Sequence, residues 1–237
     1  MQIPEALDFP TGSIRSSSEA KQLAKTIKNS MLPAKNLAFT AIYEHLPHLI
    51  QQIETELKSP IYAYSTQNDY YNKMMLLCSD FPSTNSLSIL RMPSAQNMLI
   101  YKTAENFSNA FRKILDSILF WFQVLLPKQT SSGADHKQDV LISLTGECQK
   151  AYDRSNAVFE QITGYHNERA KVIKQLNQHQ NRDFMTALIL LDFKHIGLAR
   201  AFINELVLNS LTLYVGINGN WDTVQSNSVK SVNEVIY

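Results

Sequence analysis

The chain has 237 residues, 44% of them hydrophobic and 18% charged, with 22 basic against 21 acidic side chains and a net charge of +1. That length and apolar content fill a substantial core and exclude a disordered chain, and the balanced charge exerts no overall pull on nucleic acid. Two cysteines make no disulfide framework, so Cys78 and Cys148, both inside helical patterns, read as small core residues in a reducing compartment.

The N-terminal segment, residues 1–17, carries Pro4, Glu5, Asp8 and Pro10 without a basic run ahead of an apolar one, and reads as extended chain rather than a secretory signal. Ser16 and Glu19 form a capping box that opens a helix over 18–32. Its apolar face includes Leu23 and Ile27, and Lys21, Lys25 and Lys28 line one flank. Two readings stay open: a basic amphipathic helix lying at a bilayer interface, and an ordinary packed helix with a solvated lysine edge. The helical domain proper runs over 34–215, with a tail over 216–237. In its first arm Leu37, Ala41, His45, Leu49, Ile53 and Leu57 recur at helical spacing, with a kink expected at Pro47 and an end near Pro60. Glu44, His45 and His48 miss a metal-binding spacing because Pro47 falls among them, so no metal or other cofactor is expected. Ile61, Tyr64, Tyr71, Met74, Cys78 and Phe81 mark a further helix, and Pro82–Ser94 reads as a loop.

After that loop, Leu99, Thr103, Phe107, Ala110, Ile114, Ile118, Phe122 and Leu125 carry a third arm to Pro127. Its run "ILDSILFWFQVLL" is about 13 residues long, short of the ~20 that cross a bilayer, so it reads as a buried helix with Trp121 in the core. Pro127–Asp139 is the clearest turn. Beyond it Leu141, Cys148, Ser155, Ile162, Arg169 and Leu176 interleave with Leu144, Ala151, Val158, Tyr165, Val172 and His179 as a heptad seam. The phase slips near His179, and the expected last helix continues to Val215, on the order of 110 Å at 1.5 Å per residue.

From Asn181 to Val207 that helix is apolar on two sides: Phe184, Leu188, Leu191, Leu198 and Phe202 on one, Ile189, Phe193, Ile196, Ile203 and Val207 on the other. Either a second copy covers the extra face, making Phe184, Leu188, Phe193, Ile196, Phe202 and Ile203 a dimer interface, or the arm from Ala34 to Leu57 does. Asp183-Phe184, Leu188-Ile189, Ile196, Ala199-Arg200 and Leu206, preceded by "FEQI" at Phe159–Ile162, resemble the last helix of the BAR domains of sorting nexins. The resemblance implies an all-α, elongated antiparallel bundle of long kinked helices, a homodimer or a heterodimer with a related chain, that binds and curves anionic phospholipid membranes. It transfers the membrane-binding role to the helix of Lys21, Lys25 and Lys28. A second basic group, Arg169, Lys171 and Lys174 with His166 and His179, reads as a further phosphate-binding patch or as a solvated stretch of coiled coil.

The expected function is therefore a non-enzymatic scaffold in vesicle trafficking, cytoplasmic and peripheral on endosomal membranes, with no nucleic-acid partner. Two alternatives stand beside it: a coiled-coil interaction subunit of a larger protein complex, and a helical pore-forming protein. No acid–base set, phosphate loop or nucleophile motif supports an enzyme.

Overall fold

The computed structural model describes residues 18–79, 94–126 and 136–224, and every regular element among them is helical. The first limb is composite. Helix α1 (Ser18–Thr40) runs through Pro33, gives way to a π turn over Ala41–His45, and continues as α2 (Leu46–Leu57). Pro47 lacks the N–H for a regular ladder, and the wide turn directly before it absorbs the defect while the backbone at Thr40, His45 and Leu46 stays helical. A 3-10 turn (Pro60–Tyr62) leads into α3 (Tyr64–Ser79). The limb buries Ala34, Ala38, Ala41, Ile42, Leu46, Leu49 and Ile53, whereas Leu37 and His45 face outward, a correction to the stripe read from sequence. Small alanines let α1 lie close on its neighbour, and the π turn shifts the phase of α2 relative to α1.

Helices α4 (Ala95–Leu125), α5 (His136–His179) and α6 (Arg182–Gly219) complete the bundle, with one more helical turn over 221–224. The first limb packs on α4 and α6, α5 packs on the same two, and α4 and α6 pack on each other. They therefore form the short diagonal of a four-limbed bundle, each with one remaining outward face. Phe39 and Tyr43 close edge-on around Trp221, tying the first limb to the far end of α6.

The expected single last helix is in fact two. Gln180 adopts a left-handed conformation (φ 41°) and donates its N–H to the Leu176 carbonyl at 2.9 Å; Asn181 turns extended, and its side chain accepts the Asp183 N–H at 2.9 Å. These are a helix stop and a helix start back to back. The phase slip near His179 is this turn, and α5, 44 residues or about 66 Å long, folds antiparallel onto α6. Gly146 and Gly164 both lie within α5 and do not interrupt it.

The heptad seam is present in α5: Leu141, Leu144, Cys148, Ala151, Ser155, Val158, Tyr165, Arg169 and Leu176 are buried, and only His179 is exposed. The two apolar sides of α6 are both met by the chain's own helices. Leu188, Ile196, Phe202 and Ile203, expected at a dimer interface, are instead core residues; Phe184 and Phe193 are half-buried, Phe193 against Tyr71 and Phe184 against His179. A second copy is not needed to cover them.

Candidate interaction surface and the polar layer behind it

The core is not continuous. A large cluster fills the bundle from Ala34 to Val224, and a smaller one of Met74, Cys78, Leu176, Met185, Leu188 and Ile189 lies at the α5–α6 turn. Between them sits a polar layer. Arg169 Nε donates to Asp192 Oδ1 at 3.1 Å and its Nη2 reaches Oδ2 at 3.5 Å; Tyr165 donates to the same Oδ1 at 2.8 Å. From α4, Asn97 Nδ2 donates to the Asp192 carbonyl at 3.0 Å and to the Tyr165 hydroxyl at 3.1 Å. The Tyr101 hydroxyl bonds His195 Nδ1, and His195 Nε2 lies 3.8 Å from Glu168. A proton on Nε2 lets Nδ1 accept from Tyr101 and turns the other N–H toward the carboxylate.

Burial pushes the Tyr101 and Tyr165 phenols well up, with neighbouring Tyr165 adding at Tyr101 and the Asp192 carboxylate adding at Tyr165. Burial also pushes the His195 imidazole below its ordinary value; Lys194 adds to this and Glu168 opposes it. Cys148 is driven up to about 12 by burial, which makes it an inert core thiol. Tyr101, Tyr165 and His195 are thus held neutral by their surroundings, an arrangement that fixes the register of three helices.

Arg169 is therefore not part of a basic surface patch: its charge is spent on Asp192 inside the bundle. Lys171 and Lys174 are exposed on α5, and Lys25 is exposed on α1. The side chains of Lys21, Leu23, Ile27 and Lys28 lie outside the described residues, as does the turn over 127–135. The buried set that sequence reasoning missed, Asn97, Tyr101, Asp192 and His195, had one signal: a charge inside the apolar run "LILLDFKHIGL", one face away from solvent.

Among the described residues, two groups of exposed apolar side chains share a helix sector, apart from others such as Leu37, Tyr64 and Leu76 on the first limb. On α6, Leu190, Leu208, Leu211 and Val215 fall in one sector with Ala201 and Gly197 between them, at 48%, 63%, 40% and 67% exposure. This is a third apolar side, distinct from the two read in the sequence. On α4, Leu99 and Phe120, each 58% exposed, bracket Lys102, Asn106 and Lys113 in one outward sector.

A family model described as "Proteasome activator PA28, C-terminal" matches residues 94–233. The crystal structure of the 11S subunit of the Plasmodium falciparum proteasome, PA28, superposes on 91% of this chain and 98% of its own length with a TM-score of 0.67 at 17% identity, a likeness of fold. No curated protein sequence shows significant similarity to the chain. These findings correct the resemblance to sorting-nexin BAR domains, and with it the membrane-curving function, the pore-forming alternative, the anionic-membrane partner and the endosomal placement. The physical reason for the misreading is the hairpin: a seam followed by an apolar helix mimics one long arm when the turn between them, Gln180-Asn181, contains neither glycine nor proline. With 140 residues matched, from the N-cap of α4 past the end of α6, this chain belongs to the PA28 proteasome activator family.

Proposed function

We propose that the chain is a non-enzymatic subunit of a proteasome-activating complex, assembled from copies of itself or from related chains. The family match across 94–233 carries this reading, and the likeness of fold to an 11S proteasome subunit supports it. It is the interaction-subunit alternative of the sequence reading made specific. The outward stripes on α4 and α6 support assembly, since a monomer gains nothing by keeping Leu208, Val215 and Phe120 in water. The interior ionisable groups bond one another, which supports a structural role for them. The test adds purified protein to proteasome core particles and follows hydrolysis of short fluorogenic peptides together with co-sedimentation. Faster hydrolysis and a shared sedimenting peak are expected; unchanged hydrolysis with no shared peak at micromolar protein would overturn the reading.

A further inference from the structure

We propose that the groove between α5 and α6, near their shared turn, binds the carboxyl-terminal end of short peptides whose last residues are apolar. The choice of a peptide over other apolar carboxylates rests on the reading as a proteasome-activating subunit, because cutting a peptide bond leaves a new carboxylate on the product. The groove holds about 420 Å³, within the roughly 300–1,000 Å³ of small-ligand sites. Val172 of α5 and Ala187, Leu190 and Leu191 of α6 form an apolar floor, and Lys171 and Lys194 stand on opposite walls. From Ala187 to Lys194 the groove runs about 10 Å along α6, the length of about three extended residues. That is too short for a docked helix and suits a chain end.

The charges around the floor select the ligand. Glu168, the acid in the lining, is turned inward: its carboxylate lies 3.8 Å from His195 Nε2, a buried nitrogen without a hydrogen-bond partner among the described residues. It pairs with neither lysine, and among the described residues no other carboxylate does. Arg169 meets Asp192 and Arg154 meets Asn209, so α5 and α6 run antiparallel in a register that brings Lys194 within a turn of the level of Lys171. Two exposed ammonium groups thus face one stretch of apolar floor, and a ligand that is apolar along its length with one carboxylate satisfies both features. In the same register Gly164 and Gly197 stand level just beyond Lys194, and a Cβ on either would meet nothing within 4 Å. The charged end of the groove is therefore open, and the carboxylate reaches the lysines without displacing a side chain of this chain.

The experiment titrates the full chain into a dansylated leucine tripeptide with a free carboxylate, and into the same peptide as its carboxyl amide, and follows fluorescence anisotropy. Saturable binding of the acid is expected, with the amide about tenfold weaker and the acid itself weakened by added salt. Lys171→Glu combined with Lys194→Glu should weaken binding of the acid about tenfold or more. Ala187→Trp, which fills the floor from an exposed position, should block it. Circular dichroism and light scattering should show unchanged helicity and molar mass in both variants. Equal binding of acid and amide, wild-type affinity in either variant, or no saturation at the highest soluble protein concentration overturns the proposal. Decanoate that binds more tightly than the peptide assigns the groove to a lipid carboxylate, and a fall in molar mass with Ala187→Trp assigns it to a second copy; either result overturns the peptide. Stimulation of proteasome core particles by the wild type is read in parallel. Stimulation without peptide binding overturns the groove alone, and peptide binding without stimulation overturns the functional reading alone.

Discussion

Arg169 sits in the seven-residue series between Ile162 and Leu176, and its periodicity already places it inward. Its neighbours His166, Lys171 and Lys174 suggest a basic surface instead. What the sequence could not supply was the partner, since Asp192 lies 23 residues on and meets Arg169 only after the chain reverses. The side chains of the pair are 4% and 2% exposed, so removing one member strands a charge in the interior. Asp192→Ala should cost about 3–5 kcal/mol, while Arg169→Met combined with Asp192→Leu should recover much of that. Chemical denaturation of the three variants measures it, and a double variant no more stable than Asp192→Ala would show that the layer is valued for more than its charge balance. His195 adds a pH dependence. Its folded pKa is lowered chiefly by burial, with Lys194 adding and Glu168 and Asp192 opposing, while Tyr101, Tyr165 and Arg169 lie around it. The unfolded chain therefore binds a proton first. This group's contribution is intact above the unfolded imidazole value of about 6.5, declines as pH falls below it, and levels off only beneath the lowered folded value. His195→Gln should flatten the melting temperature between pH 7 and 5 relative to wild type, and equal slopes would refute the assignment.

Helices themselves were readable: the seam of α5, the apolar run of α4 and the inward Met74 and Cys78 of α3 all fall where periodicity puts them. Their ends were not, wherever the chain turned without glycine or proline. Pro33 reads as a boundary in the sequence yet lies inside α1, because proline removes one hydrogen bond but does not forbid the helix around it. At Gln180 the opposite holds: no breaker is present, and α5 ends because Gln180 takes the left-handed conformation and Asn181 caps the start of α6. At φ 41° an L side chain is strained and glycine is not, so Gln180→Gly should raise stability by about 0.5–1 kcal/mol. In an unbroken helix the same change would lower it by about that much. Asn181→Ala should cost about 1 kcal/mol through loss of the cap on Asp183. Urea denaturation of the two variants decides between a hairpin and a continuous arm.

At the scale of the molecule, the polar layer divides a bundle of unequal halves. Among the described residues, four limbs enclose the large core from Ala34 to Val224 below it; above it α4 has not yet begun, and Met74, Cys78, Leu176, Met185, Leu188 and Ile189 come from α3, α5 and α6. That asymmetry was not legible in the sequence, since apolar content is as high around Leu188 as around Ile203 and only the position of α4 decides how many helices cover it. A small three-helix cluster buries less apolar surface and separates from the larger core at a layer whose bonds are polar, so local opening should begin at the α5–α6 turn. Amides over 170–179 and 182–190 should therefore exchange with solvent faster than those over 141–158 and 196–213 under native conditions, by a margin well beyond their difference in intrinsic rate. Leu188→Ala, a cut of about 2–5 kcal/mol into the small cluster, should widen the gap by exposing the upper segments while leaving protection of Phe111, Ile118 and Ile203 in place. Exchange followed by mass spectrometry resolves both. Uniform protection across α5 in the wild type, or a Leu188→Ala variant that loses protection everywhere at once, would mean that the polar layer binds the two halves into one cooperative unit instead of marking the seam between them.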